Sequence, residues 1–325
     1  MQPGRDILYL SDADIEAAGV GPRALGDSVD FMLREKAAGR AVTRPKTGIF
    51  PDPDRFFLAM AGVMEKPAYA AVKWGGTVVG NEARGVPAIS PMIILSDRVT
   101  GLPLCILSGR WITSHRTAAI TLVGGRYLAK KNSETIGFIA CGVQARSHLL
   151  TFREHFPLKR AFAYSRRKET ADIFAAEARA QGLETTAVTD PRKAVEGMDI
   201  VISSAPQGAT LPKPFIDPAW FSPGCYAGLL DIGRTVDWSK GDNFDLMATD
   251  DHAQSAENVK LGRLGYLKPF GAELADLASG KIKARTDDRQ RTGLIFSGLA
   301  LGDVAVAGAI YEGALKSGKG TLLPL

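Results

Sequence analysis

The sequence predicts an α/β protein that combines a doubly wound parallel sheet of the Rossmann type with an α+β domain. From about residue 135 to residue 250, apolar strand-like runs alternate with helices, as in a parallel sheet covered by helices. The first 110 residues or so contain short β-like runs separated by Gly and Pro. The length of 325 residues and the 45% hydrophobic share suffice for about two domains.

The N-terminal stretch is predicted to contain one helix followed by several strands. The helix has apolar residues at Leu25, Val29, Phe31, Met32 and Leu33. The strand-like runs that follow cover residues 56–60, 69–74, 92–95 and 104–107. Because Gly and Pro separate these runs, we expect a sheet with short connections.

A long helix is predicted from near Thr113 to Lys131. Thr113 or Ser114 can cap its N-terminus, and Lys130 suits the negative end of its dipole. Strands are then expected at 135–140, 160–164, 198–203, 225–230 and 246–249, and helices at 144–155 and 168–181. The last helix, 299–315, is rich in Ala and Gly and could return to the first domain.

Composition and charge argue against several classes of function. The net charge of +5 comes from 40 basic and 35 acidic residues that are well mixed, so we expect no nucleic-acid partner. No apolar run approaches the ~18 residues that cross a bilayer, so we expect no membrane association. The first 20 residues carry acidic groups within their apolar portion and end in no small-residue cleavage site, so we expect no signal peptide. Three scattered cysteines indicate the cytoplasm. Four histidines without ligand spacing argue against a metal site.

One turn in the alternating region has features of a dinucleotide-binding site. Residues 140–145 (ACGVQA) connect the first predicted strand of that region to its helix. Gly142 allows a pyrophosphate to approach the backbone, Ala145 fills the third small position, and Ala140 replaces the usual first glycine. The turn alone is equally well explained as an ordinary strand–turn–helix. The surrounding β-α-β alternation favours a bound dinucleotide.

The end of the second strand of that region indicates which dinucleotide is preferred. NAD sites usually place Asp or Glu there to bind the ribose 2′-hydroxyl. Residues 165–168 instead read Ser-Arg-Arg-Lys, and Glu169 is the first acid. A hydroxyl followed by three cations suits a 2′-phosphate, so we predict NADPH, with NADH as the second possibility. Exposed arginines at a helix start are the simpler alternative.

Several arginines lie in stretches without acidic residues. No Asp or Glu lies between Asp97 and Glu134, yet Arg116 would occupy the first helical turn, where the dipole disfavours a cation. A bound carboxylate or phosphate explains this placement, and an acid from a distant segment explains it equally well. Arg44 lies in a second acid-free stretch, 36–50, where an exposed loop arginine is the simpler interpretation.

Lys73 and Asp231 are candidates for proton transfer and charge stabilisation. Strand alternation places Lys73 on the face of Tyr69 and Ala71. Burial there would lower its pKa, as a proton donor requires, unless the side chain reaches water at the strand end. Asp231 follows an apolar run and would lie at the carboxyl end of a strand, where open α/β sheets bind ligands. The residues around Asp231 alone favour a simpler interpretation, in which this aspartate only forms a turn.

Together these residues resemble the ornithine cyclodeaminase/mu-crystallin family, and its ketimine reductase-like branch in particular, over nearly the whole chain. The resemblance rests on Val72-Lys73, Asn81 with Gly85, the run 97–104 (DRVTGLPL), Arg116-Thr117-Ala118-Ala119, Gln144-Ala145 and the segment 298–303. It implies a Rossmann domain, residues 116–298, inserted into a substrate-binding and dimerisation domain, residues 1–115 and 299–325. Family members are typically homodimers.

The resemblance also implies roles for individual residues. Lys73 and Asp231 would be catalytic, although the Leu-Leu-Asp-Ile-Gly surroundings of Asp231 differ from the family's usual Gly-x-Asp. Arg44, Arg116 and Met60 would bind the substrate. The residues implied for the cofactor are Arg116, Thr117, Gly142, Val143, Gln144, Ser165, Arg166, Arg167, Ser204 and Ala205.

The implied function is an NAD(P)H-dependent reductase of a small carboxylate-bearing imine, either a ketimine or a cyclic imino acid. Arg44 and Arg116 would orient the carboxylate, Asp231 would stabilise the iminium, and Lys73 or a held water would supply a proton. Three alternatives stay open: an ornithine-type cyclodeaminase with recycled NAD, an amino-acid dehydrogenase, and a non-catalytic NADPH-binding crystallin-like protein. Leu58 stands where ornithine cyclodeaminases carry a glutamate, which argues against the first.

Overall fold

The computed structural model describes residues 2–52, 54–206 and 213–325. Contacts divide the chain into two units, one of Met1–Thr117 with Gly298–Leu325 and one of Ala118–Ser297. The domain limits expected from the sequence, 115/116 and 298/299, fall within two residues of these divisions. Each unit has its own sheet.

The elements follow one another in a regular order along the chain. The strands are β1 (Asp6–Leu10), β2 (Ala41–Thr43), β3 (Thr47–Asp52), β4 (Arg55–Met64), β5 (Tyr69–Val78), β6 (Ile89–Asp97), β7 (Pro103–Ser108), β8 (Thr135–Ile139), β9 (Arg160–Tyr164), β10 (Glu184–Val188), β11 (Ile200–Ser203), β12 (Tyr226–Leu229), β13 (Leu246–Thr249), β14 (Ala272–Glu273), β15 (Thr292–Ile295) and β16 (Thr321–Pro324). The helices are α1 (Asp12–Ala17), α2 (Pro22–Ala37), α3 (Gly109–Leu128), α4 (Val143–Arg153), α5 (Lys168–Ala180), α6 (His252–Lys260), α7 (Leu274–Ala278) and α8 (Ala300–Ser317).

The first unit is a mixed sheet with helices packed against it. Its strand order is β16-β1-β7-β6-β5-β4-β2, and β3 pairs with β4. α8 packs on β4, β5 and β6, and α2 packs on α8. Along β5, Ala71 and Lys73 are buried while Trp74 is 47% exposed, so side chains alternate between the two faces of the sheet. The four predicted strands of this unit are confirmed, and each is longer than predicted.

The predicted N-terminal helix is confirmed as α2, whereas the predicted start of the long helix is wrong. Phe31 is 43% exposed, because it lies on the opposite side of α2 from Val29 and Leu33, which are buried. α3 follows β7 without a loop and begins at Gly109, so Thr113 does not cap it and Arg116 is not in its first turn. The backbone N–H of Trp111 instead donates to the carboxylate of Asp12, 99 residues away.

The second unit is a fully parallel sheet with the order β10-β9-β8-β11-β12-β15-β13-β14. Every residue of β8 is buried, as expected for a strand between two layers of helices. The chain leaves β8 toward β9 on one side and later returns to β11 on the other. This reversal is the point at which doubly wound sheets bind ligands. The predicted Rossmann-type architecture is confirmed.

The predicted elements of the second unit are confirmed with ends that differ by at most two residues. Five elements of this unit were not predicted from the sequence: β10, β14, β15, α6 and α7. Of these, β15 lies between β12 and β13 in the sheet. Within residues 2–52, 54–206 and 213–325, no helix is both long and apolar enough to cross a membrane.

Candidate active site

Three charged side chains of the first unit meet in its interior. Lys73 extends from β5, Arg116 from α3 and Asp303 from the first turn of α8. Lys73 Nζ donates to Asp303 Oδ1 at 2.7 Å, and Arg116 Nε donates to the same oxygen at 3.1 Å. None of the three is more than 6% exposed. They form one buried group, called the ionic cluster below.

Strand pairing explains why Lys73 turns to Asp303. The register partners of Lys73 are Met60 on β4 and Ile93 on β6, and both are buried. Neither side chain offers a good hydrogen-bond acceptor, and a buried ammonium needs one. Asp303 supplies it from α8, which packs on these strands. The prediction that Lys73 lies on the buried face is therefore confirmed, and Met60, predicted to bind substrate, is its direct neighbour.

The structure partly explains why Arg116 lies in a stretch of sequence without acidic residues. An acid from a distant segment does pair with it, since Asp303 lies 187 residues further along the chain. That acid is shared with Lys73, so the ionic cluster contains two cationic side chains and one carboxylate. Asp303 Oδ2 is buried and accepts no hydrogen bond from the described residues. The pairing therefore leaves one positive charge that a ligand carboxylate could balance.

The surroundings bring the pKa of Lys73 close to physiological pH. Burial, and after it the charge of Arg116, lower the pKa of Lys73, and Asp303 opposes both, so that this pKa lies at about 7. Burial by itself would raise the pKa of Asp303, but the two neighbouring cations outweigh it and hold that pKa below the ordinary value. Asp303 therefore stays ionised while Lys73 can gain or lose a proton, as general acid–base chemistry requires.

Gly298 allows Arg116 to take its position. Gly298 has φ of 84°, a left-handed conformation that favours glycine. A Cβ at this residue would overlap the guanidinium of Arg116. The glycine before α8 is therefore required both by the backbone and by the arginine packed against it.

Arg44 is not part of the ionic cluster. It lies in the loop between β2 and β3 and is exposed. Its guanidinium forms no hydrogen bond or ion pair with the residues that the structure describes. Its role in binding a substrate carboxylate stays a prediction.

The glycine turn of the second unit has the shape that the sequence predicts. Gly142 directly precedes α4, and no side chain of the described residues caps this helix. A Cβ on Gly142 would meet no described atom within 4 Å. The first N–H groups of α4 therefore lack intrahelical partners beside open space, which is how a helix N-terminus receives a pyrophosphate.

Ala140 adopts a conformation that usually requires glycine. Its φ of 69° is left-handed, which costs an L-residue about 1–2 kcal/mol. Its N–H donates to the carbonyl of Tyr164 at 2.8 Å, and its carbonyl accepts from Ser204 Oγ at 3.3 Å. The strands on both sides of β8 thus hold the turn in place, and Ser204, predicted to bind the cofactor, lies next to it.

Four other residues predicted for the cofactor lie in different settings. Thr117 belongs to the first unit, and its hydroxyl donates to the carbonyl of Thr113 at 2.7 Å. Val143 is 68% exposed at the start of α4. Gln144 Oε1 is buried and accepts no hydrogen bond from described residues. Ala205 follows β11 and is half-buried. Their contacts with a cofactor stay predictions.

The predicted cationic segment lies between β9 and α5. Ser165 is half-buried, and Arg166 and Arg167 are exposed. The two guanidinium groups form no hydrogen bond or ion pair with described residues. Lys168 differs, because its Nζ lies 2.6 Å from a carboxylate oxygen of Asp172. Two of the three predicted cations are therefore available for a phosphate.

Asp231 lies just after β12, as predicted, but it is fully buried. Its carboxylate accepts from Ser203 Oγ and Thr235 Oγ1, both at 2.6 Å, and from the N–H of Gly233 at 3.1 Å. Burial raises the pKa of Asp231 to about 6, although these hydrogen bonds oppose the rise. The bonds make Asp231 part of a turn, and its catalytic role stays a prediction.

Sequence reasoning missed Asp303 as a member of the site. A signal was present, because Asp303 is the single acid between Arg291 and Glu312 and lies in the otherwise apolar stretch 298–311. The missed partners of Asp231, Ser203 and Thr235, carry no such signal, since buried hydroxyls are common in strands and turns.

Comparisons with known proteins agree with this fold. The sequence model of the ornithine cyclodeaminase/mu-crystallin family matches residues 9–318. The structure of Thermococcus litoralis Delta(1)-pyrroline-2-carboxylate reductase in complex with NADH and L-proline has a TM-score of 0.86 at 29% identity, covering 97% of this chain and 99% of that one. An archaeal alanine dehydrogenase dimer with bound NAD has a TM-score of 0.86 at 25% identity, covering 98% and 99%. The N-((2S)-2-amino-2-carboxyethyl)-L-glutamate dehydrogenase of Staphylococcus aureus is 28% identical over 341 residues, 99% of both chains.

Proposed function

Because this chain belongs to the ornithine cyclodeaminase/mu-crystallin family, we propose that it is an NAD(P)H-dependent reductase of a small carboxylate-bearing imine. The observation that carries the proposal is the buried ionic cluster, with two cations and one carboxylate. Its excess positive charge suits an anionic substrate. The pKa of about 7 for Lys73 suits proton transfer to the substrate nitrogen.

The chemistry divides between the cofactor and the protein side chains. A bound nicotinamide supplies the hydride. Arg116 binds and orients the substrate carboxylate, and its planar guanidinium suits two-point binding of that group. Lys73 provides the proton that makes the C=N carbon more electrophilic. Asp231 would stabilise the resulting iminium charge.

The second unit suits a dinucleotide with a 2′-phosphate. The uncapped N-terminus of α4 and the open space at Gly142 suit the pyrophosphate. Ser165 and the unbonded Arg166 and Arg167 suit the additional phosphate, so we propose NADPH as the preferred cofactor. NADH remains usable, since the same turn binds either nucleotide.

A substrate panel tests the proposed function. Cyclic ketimines such as pyrroline-2-carboxylate and piperideine-2-carboxylate, and 2-oxo acids mixed with amines, would be assayed by oxidation of NADPH and of NADH. We expect turnover of at least one carboxylate-bearing imine, none of its decarboxylated analogue, and a higher kcat/KM with NADPH. Ammonia release from ornithine without added reductant would instead identify a cyclodeaminase. NADPH binding without any turnover would identify a binding protein.

An apolar sheet face supports a homodimer. Val63, Trp74, Met92 and Ile94 lie on the face of the first unit's sheet opposite Lys73, and each is 38% exposed or more. An apolar patch of this kind commonly marks an interface, and the archaeal alanine dehydrogenase is a dimer. We propose that a second copy of the chain covers this face.

Trp74→Glu tests the dimer, because a charge placed in an interface core weakens association by about 2 kcal/mol or more, roughly 30-fold. Sedimentation at low concentration should show a dimer for the unmodified protein and a monomer for the variant. Val99→Glu, at a position that is 77% exposed outside this face, should stay dimeric. A dimeric Trp74→Glu protein would contradict the proposal.

The cysteines support a reducing compartment. Cys105, Cys141 and Cys225 are unpaired and buried. Burial raises the pKa of each thiol to about 12, so none is an activated thiolate. We propose the cytoplasm as the site of action, where unpaired thiols are stable.

A further inference from the structure

We propose that Asp303 is a positioning residue that orients Lys73 and Arg116 together and keeps Lys73 protonated at the pH of catalysis. The inference rests on the proposed function, because it names the group that prepares these two residues for their substrate. It assigns no contact between Asp303 and the substrate.

The geometry supports a shared anchor. One oxygen of Asp303 accepts from Lys73 Nζ at 2.7 Å and from Arg116 Nε at 3.1 Å. The two donors come from a strand and a helix that are separate in sequence, and α8 brings the carboxylate between them. A movement of Asp303 would therefore displace both cations. Because Arg116 uses Nε for this bond, the terminal nitrogens of its guanidinium are left for another anion.

The location of Asp303 favours its ionised form. It lies in the first turn of α8, where the positive end of the helix dipole stabilises an anion. Two cations adjoin it, and they hold its pKa below the ordinary value despite complete burial. Asp303 is thus a fixed negative charge over the pH range in which Lys73 titrates.

The cluster differs from a stabilising salt bridge. Burial of charges costs free energy, and apolar residues of similar volume often stabilise a core equally well. A purely structural carboxylate would also be expected to use both oxygens, yet Oδ2 has no donor among the described residues. The unbalanced charge and the unused acceptor are more easily explained by function than by stability.

Asp303 raises the pKa of Lys73 against the other groups that surround this lysine. Arg116 on α3 and Lys46 in the β2–β3 loop lower the pKa of Lys73, as burial does, and Asp303 raises it. The strand neighbours Met60 and Ile93 are uncharged. Removal of the Asp303 charge should therefore release the Lys73 proton at lower pH.

Asp303→Asn tests the inference in the full-length protein. If protonated Lys73 is the active form, kcat/KM falls as pH rises through its pKa, and this alkaline limb should move at least about one pH unit lower in the variant. Asp12→Asn is the matched control, since Asp12 pairs with Arg110 on the same helix, α3. The control should leave the alkaline limb in place. An unmoved limb in a folded Asp303→Asn protein would overturn the inference.

A second readout separates this inference from the proposed function. NMR titration of ¹³C-labelled lysine side chains, with the Lys73 signal assigned from Lys73→Arg, measures the same pKa without turnover. A lowered Lys73 pKa in Asp303→Asn supports the inference even if no imine is reduced. An unchanged pKa refutes it even if the unmodified enzyme is active.

Asp303→Glu provides a variant that retains the charge if Asp303→Asn does not fold. The longer side chain should leave the alkaline limb within half a unit but lower kcat/KM about tenfold, because both cations are displaced. Unchanged kcat/KM in Asp303→Glu would contradict the positioning role.

Discussion

Replacement of Lys73 by Met should lower kcat by about 10³-fold, within the range expected when a general acid is removed. Met has nearly the length of Lys but has no proton to give. It also leaves Arg116 as the remaining cation on Asp303. The measurement is steady-state NADPH oxidation with the best imine from the panel, together with a thermal melt to confirm folding.

Lys73→Arg separates two roles of Lys73, proton donation to the substrate and the positive charge beside Asp303. Arg keeps the positive charge beside Asp303, but its pKa is too high for proton transfer. We expect a KM within a few-fold of the unmodified enzyme and a kcat nearly as low as that of Lys73→Met. Full activity in Lys73→Met would rule out Lys73 as the proton source.

Arg116→Gln is expected to have the second largest effect, a rise in KM of about 10- to 100-fold. A hydrogen bond between charged groups contributes about 1.5–3 kcal/mol, and Gln retains hydrogen bonding without the charge. Arg116 is predicted to contact both substrate and cofactor, so the dissociation constant for NADPH should be measured as well. A rise confined to the NADPH constant would assign Arg116 to the cofactor alone.

Arg110→Gln is the matched control for Arg116→Gln. Arg110 lies on the same helix, its side chain is 51% exposed, and it pairs with Asp12. Exposed pairs contribute about 1 kcal/mol or less to stability. We therefore expect Arg110→Gln to leave KM and the NADPH constant unchanged. A similar rise in KM in both variants would point to a general effect of charge on α3.

Features of the protein that follow from local pattern were predictable from the sequence. Apolar periodicity over a few residues identifies a segment as helix or strand. The alternation of these segments then predicted the parallel sheet. The two-residue period of a strand predicted the buried face of Lys73. The glycine turn at 140–145 was visible because backbone geometry limits which residues can occupy it.

Which charged groups share a site depends on packing between distant segments of the chain. Asp303 reaches Lys73 and Arg116 across 230 and 187 residues of chain, a pairing that no local spacing encodes. The start of α3 at Gly109, which leaves Arg116 beyond the first turn, was likewise visible only in the structure. The enclosure of Asp231 depends on hydroxyls from two separate segments. Buried charges take partners from whatever packing brings near, so these pairings required coordinates.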